Sequence, residues 1–111
     1  MLRVGLLGGT FDPVHIGHLV IAQRVYESLK LDRVIFIPAF CSPHKTSHAV
    51  IDAHKRYAMV ALAIKGIPHF QISDIELNRQ GKSYTIDTVK ALRENYQKKK
   101  GEKFKFFFII G

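Results

Sequence analysis

Arg33-Val34-Ile35-Phe36-Ile37-Pro38 constrains the fold more than any other stretch of the chain. It has the length of a strand, ends on a proline, and from Val34 onward offers no polar side chain to water. Alternate residues of a strand point to opposite faces. Both faces of this one must therefore be covered, which is the condition of a strand inside a parallel sheet flanked by helices.

The rest of the pattern agrees with that requirement. Residues 2–7 read as a first strand, and a helix follows from about Ile16 to Lys30 with Leu19, Ala22, Val25, Tyr26 and Leu29 at helical spacing. After the strand Arg33 to Pro38 comes a polar loop, Ala39 to His48. A helix from about Ile51 to Ile64 is closed by Gly66 and Pro68, with Tyr57, Met59 and Leu62 read as core. His69 to Ser73 is a third strand, and Asp74 to Lys82 reads as a connection. A helix from about Thr85 to Lys98 carries Asp87 in its first turn, where the dipole favours it. Phe104 to Ile110 is a fourth strand.

Strands alternating with helices predict an α/β fold, a Rossmann-like parallel sheet with right-handed crossovers. Ligands of such sheets bind beyond the carboxyl ends of the strands. Phe106 to Ile110 is expected to be a central, doubly buried strand, yet it runs out where a site loop should begin. The 111 residues are accordingly expected to be the front part of a longer single domain, truncated after its fourth strand. An exposed apolar last strand is an association hazard, so dimerisation or strand exchange is an expectation as well.

Composition narrows the partners. With 47% hydrophobic and 23% charged residues the chain reads as globular, and its apolar runs are too short to span a bilayer. One cysteine, Cys41, and no secretory signal suggest the cytoplasm. A net charge of +8 favours anionic partners. The block Lys98-Lys99-Lys100, with Lys103 and Lys105, reads as a solvated loop, while Phe104 to Phe108 look like core, not a nucleic-acid stacking platform. Nucleotides, nucleic acid and acidic membrane surfaces are the anionic partners that such a charge suits.

Gly8-Gly9-Thr10-Phe11-Asp12-Pro13-Val14-His15-Ile16-Gly17-His18 joins the first strand to the first helix. Glycines there are expected to supply positive φ and to let a ligand approach the backbone. The helix N-terminus adds unpaired N–H groups and a positive dipole end, which suit phosphate. His15 and His18 would add side-chain donors, with Gly17 between them leaving the approach open. The turn is neither GxGxxG nor a lysine-bearing phosphate loop. A metal shared by His15 and His18 is an alternative that lacks a third ligand nearby. Cys41, His44 and His48 have metal-like spacing too, and would need His54 as a fourth ligand; phosphate contact by Lys45 is the competing reading.

The stretch from Gly8 to Leu19 resembles the signature of the HxGH nucleotidylyltransferase superfamily, and within it bacterial nicotinate-nucleotide adenylyltransferases. Ser42-Pro43-His44-Lys45 resembles that family's Pro-Pro-His-Lys loop, and Ile72 to Leu77 with Ser83 to Thr88 is similar to its central pattern. Phe107-Phe108-Ile109-Ile110-Gly111 resembles the strand before its Gly-x-Asp loop. The resemblance implies adenylyl transfer from ATP to nicotinate mononucleotide, giving deamido-NAD and diphosphate in NAD biosynthesis, with Mg²⁺ accompanying ATP. By the same resemblance His15 and His18 are the catalytic pair, and Gly8, Gly9, Thr10, Phe11, Gly17, Lys45 and Gly111 line the nucleotide and phosphates. Tyr84 and Thr85 would lie near the nicotinate, and no protein metal site is implied. Pantetheine-phosphate adenylyltransferase, another enzyme of the superfamily, or a nucleotide-binding fragment without catalysis are the alternatives. The family's C-terminal Ser/Thr-rich motif with its arginine is not in the sequence.

Overall fold

A computed structural model describes residues 1–40, 52–79, 85–97 and 103–109. Four parallel strands form one sheet: β1 Leu2–Gly9, β2 Arg33–Pro38, β3 Phe70–Ile72 and β4 Phe104–Phe108, in the order β3-β2-β1-β4. The helices are α1 Ile16–Ser28, α2 Ala53–Ile64, α3 Ile75–Arg79 and α4 Thr85–Gln97. This is the Rossmann-like α/β architecture expected from the alternation of elements.

Side chains divide between the two faces of the sheet with period two. Leu7, Val34, Phe36 and Phe70 pack against Ala22 of α1 and Val60 and Ile64 of α2. Val4, Leu6, Ile35 and Ile37 point the other way, onto Leu92 and Tyr96 of α4. Val34 through Ile37 are all buried, so β2 is covered on both sides as its sequence requires. Each such side chain contributes roughly 1.5–3 kcal/mol on burial, which fixes β2 as an interior strand. Helix α2 ends where expected, with Gly66 at a φ of 86° that L side chains rarely adopt.

Strand β4 ends at Phe108 and borders β1 among the described residues. Phe108 is 49% exposed, and Phe104 and Phe106 are covered on one side by Tyr96, each at 5.4 Å. Three expectations fail. The connection Asp74 to Lys82 contains the five-residue helix α3, too short to show a period. In α2 the buried line is Ala53, Arg56, Val60 and Ile64, while Met59 and Leu62 are exposed and Tyr57 is half-buried. Leu29 likewise falls outside the core stripe of α1, at 38% exposed, and its carbonyl accepts from the Arg3 guanidinium. None of the described helices is long and apolar enough to cross a membrane.

Candidate active site

The strand order reverses at β1: the chain winds outward through β2 and β3, then returns to β4 on the other side. In a parallel sheet the crevice at such a reversal is where ligands bind, beyond the carboxyl ends of the strands. Strand β1 ends there at Gly9, paired with Pro38 of β2, and the Ala39 N–H donates to the Gly9 carbonyl at 2.8 Å. The segment 10–15 then leads into α1. Gly8, Gly9, Thr10, Phe11, His15, Gly17 and His18 are thus brought together at the switch point.

The reversal is made differently from the expectation. Gly8 and Gly9 belong to the strand, and the positive φ, 50°, falls on Phe11. A left-handed conformation costs a residue with a Cβ roughly 1–2 kcal/mol. The Phe11 ring offsets this, since it is 3% exposed and burying such a side chain is worth about 1.5–3 kcal/mol. It packs on Phe36 at 5.9 Å and lies edge-on to His18 at 4.9 Å. Neither φ nor crowding demands glycine at position 8 or 9. A Cβ at Gly8 comes no nearer than 3.9 Å to Ile37 O, and one at Gly9 meets only ordinary contacts with the Phe11 ring from 3.5 Å. What these glycines keep clear is the space outside the backbone.

His15 is the N-cap of α1 and His18 its third residue. The His15 N–H donates to His18 Nδ1 at 3.0 Å, and the Gly17 N–H donates to His15 Nδ1 at 3.0 Å. The rings lie 3.9 Å apart. An Nδ1 that accepts a hydrogen bond carries no proton, so each neutral ring bears its proton on Nε2. Two Nε2–H donors therefore sit at a helix N-terminus. His18 is held below the ordinary histidine value by partial burial and then by the neighbouring His15. Gly17 has a sharper role than leaving an approach open: a Cβ there would stand 2.8 Å from His15 Cε1 and 2.9 Å from Nδ1, displacing the capping ring.

Sequence reading missed Arg56, which is buried in α2 and donates to carbonyls at the ends of β1 and β2. It also missed the buried pair Glu76 and Thr88, where the Thr88 hydroxyl donates to the Glu76 carboxylate at 2.5 Å and ties α3 to α4. Arg56 had a signal, since it stands four and eight residues before Val60 and Ile64. Lys45, Tyr84 and Gly111 lie outside the described residues, as do Cys41, His44 and His48. Thr85 opens α4, but its side chain is also outside them. His54 is exposed, with its N–H on the Asp52 carboxylate at 3.1 Å. No group of three or more His, Cys, Asp or Glu able to hold a metal forms among the described residues.

The cytidylyltransferase-like family model matches residues 6–111. The chain belongs to this family. A relative from Thermoanaerobacter, named "Probable nicotinate-nucleotide adenylyltransferase", is 49% identical over 99% of the chain and 50% of its own length. Another of the same name, from Halalkalibacterium halodurans, is 51% identical over 100% of the chain and 52% of its own length. The chain spans about half the length of these curated relatives. The solved structure of Plasmodium falciparum nicotinic acid mononucleotide adenylyltransferase complexed with NaAD shares its fold, with a TM-score of 0.74 at 16% identity. That match covers 97% of the chain and 51% of the solved one.

Proposed function

We propose that the protein carrying this chain transfers the adenylyl group of ATP to nicotinate mononucleotide, forming deamido-NAD and releasing diphosphate. The observation that carries this reading is the reciprocal histidine cap at the start of α1, which occupies both Nδ1 atoms as acceptors and leaves the Nε2–H of each neutral ring to donate. The names of the relatives supply the substrate class.

In this reaction an oxygen of the mononucleotide phosphate bonds to the α-phosphorus of ATP, and the bond from that phosphorus to the diphosphate oxygen breaks. The attacking phosphate has a second pKa near ~6 and is largely ionised at neutral pH, so no general base is needed. The work left is alignment of two anions and stabilisation of charge on the departing diphosphate. His18 and His15 would donate to those phosphates, and the backbone around Gly9, Thr10 and Phe11 would hold a nucleotide phosphate. Lys45 and Gly111 would complete the phosphate contacts, and Tyr84 and Thr85 would lie by the nicotinate. Magnesium would enter with ATP as part of the substrate, held by phosphate oxygens and water. A cytoplasmic setting suits the single cysteine.

The test is diphosphate release from ATP or CTP, each paired with nicotinate mononucleotide, nicotinamide mononucleotide or phosphopantetheine. ATP with nicotinate mononucleotide should give the highest kcat/KM. Preference for CTP or phosphopantetheine would move the protein elsewhere in the superfamily, and ATP binding with no release under any pairing would make it a binding module.

A further inference from the structure

We propose that Arg56 is a positioning residue of this site: its guanidinium fixes the ends of β1 and β2 relative to each other, so that the turn after Gly9 and the segment leaving Pro38 face the crevice as one unit. The proposal rests on the functional reading above for what that unit binds.

Arg56 is 2% exposed, in the line of α2 that otherwise carries Ala53, Val60 and Ile64. Its Nη1 donates to the Thr10 carbonyl at 2.6 Å and the Ala39 carbonyl at 2.8 Å, and its Nη2 donates to the Phe40 carbonyl at 3.3 Å. Three carbonyls from two separate segments thus converge on one rigid, planar group, whose donors have fixed relative directions. The Ala39 N–H bond to Gly9 O ties the same two strand ends directly. Thr10 precedes Phe11, and the Phe11 ring is the seat of His18. A shift of the Thr10 carbonyl therefore moves both the turn backbone and the histidine above it.

Packing alone does not call for arginine here. An apolar side chain would fill the same interior at a smaller desolvation cost. The guanidinium is distinguished by where its bonds go: each of the three recorded carbonyls lies just past the carboxyl end of a strand that borders the crevice or its neighbour. A lysine would keep the charge but present a single ammonium in place of the fork.

The experiment compares Arg56→Lys and Arg56→Gln with the unsubstituted protein carrying this chain, in steady-state adenylyl transfer and in amide hydrogen exchange. Both variants should remain folded and lose on the order of 100-fold in kcat/KM, as displacement of a positioned group by about an ångström does. KM for the mononucleotide should rise, with Arg56→Lys the milder of the two. Exchange at Ala39 should accelerate, while exchange at Val34, whose N–H bonds His69 O at the far end of β2, stays unchanged. A fall in kcat that only follows the folded fraction, with KM unmoved, would overturn the proposal. So would unaltered exchange at Ala39, or failure of both variants to fold, which would make Arg56 a general core member. The exchange readout needs no activity. Faster exchange at Ala39 in a protein that shows no adenylyl transfer would sink the functional reading and leave the tie between the strands standing.

Discussion

Helices α1 and α2 start at equivalent places, each following an interior strand of the sheet on the same face, yet their first turns are capped in opposite ways. At α2 the Asp52 carboxylate accepts the His54 N–H at 3.1 Å, so the positive end of that helix meets a negative charge of its own. At α1 the cap is an imidazole, and no acidic residue stands in the first turn. The His15 and Gly17 N–H groups are met by imidazole nitrogens, and the dipole is left uncompensated by its own helix. The difference teaches what to look for: a helix start that is structurally complete but electrostatically open is a place where an outside anion gains most.

Substitution at the open end should do the most damage. His18→Ala removes an Nε2–H donor and is expected to lower kcat by at least ~100-fold with folding kept, the size found when one donor to developing charge is removed. Steady-state kinetics alongside a thermal melt checks this, and a near-normal kcat would end the comparison.

Acid should act on the same end more gently. The fold favours neutral His18, so the unfolded chain takes up a proton near 6.5 while the folded one resists until lower pH. Stability from this group is therefore full above 6.5 and declines as pH falls through that value toward the depressed one. Protonation at Nδ1 also removes the acceptor of the His15 N–H, so activity should fall at the lower end of that range, as pH reaches the depressed value. Tm measured against pH should fall more steeply toward acid in the parent protein than in His18→Ala. Parallel slopes would detach the cap from the titration.

The closed end should matter least. Asp52→Ala removes a side-chain cap and should cost about 1 kcal/mol of stability, read by denaturant unfolding, with kcat and KM unchanged. A change in kinetics would show that the start of α2 shares in the site.

The sheet was legible because burial on two faces leaves a plain trace, and Val34 to Ile37 could be read as interior without any structure. Strand β4 also packs on both faces, Phe107 against the core beside α1 and α2 and Phe104 and Phe106 against the core beside α4, while Arg3 at 4.7 Å and Lys105 at 5.4 Å lie over the Phe107 ring. Hydrophobicity sorts arginine to the surface, so the sequence favours Met59 and Leu62 over Arg56 as core, although Arg56 holds the better place in the i, i+4 series. The histidines could be found by spacing. Their roles as mutual caps could not, because which nitrogen accepts depends on backbone directions that spacing does not carry. Gly17 shows the same limit, since its reason is the nearness of one ring, not the passage of a ligand.

The reciprocal cap has one more consequence. Hydrogen bonds in series polarise one another. A phosphate oxygen drawing on an Nε2–H enriches the opposite nitrogen of that ring, which then grips its backbone N–H more firmly. The first turn of α1 and any anion resting on it therefore form a single relay: whatever binds there also strengthens the cap that holds that turn.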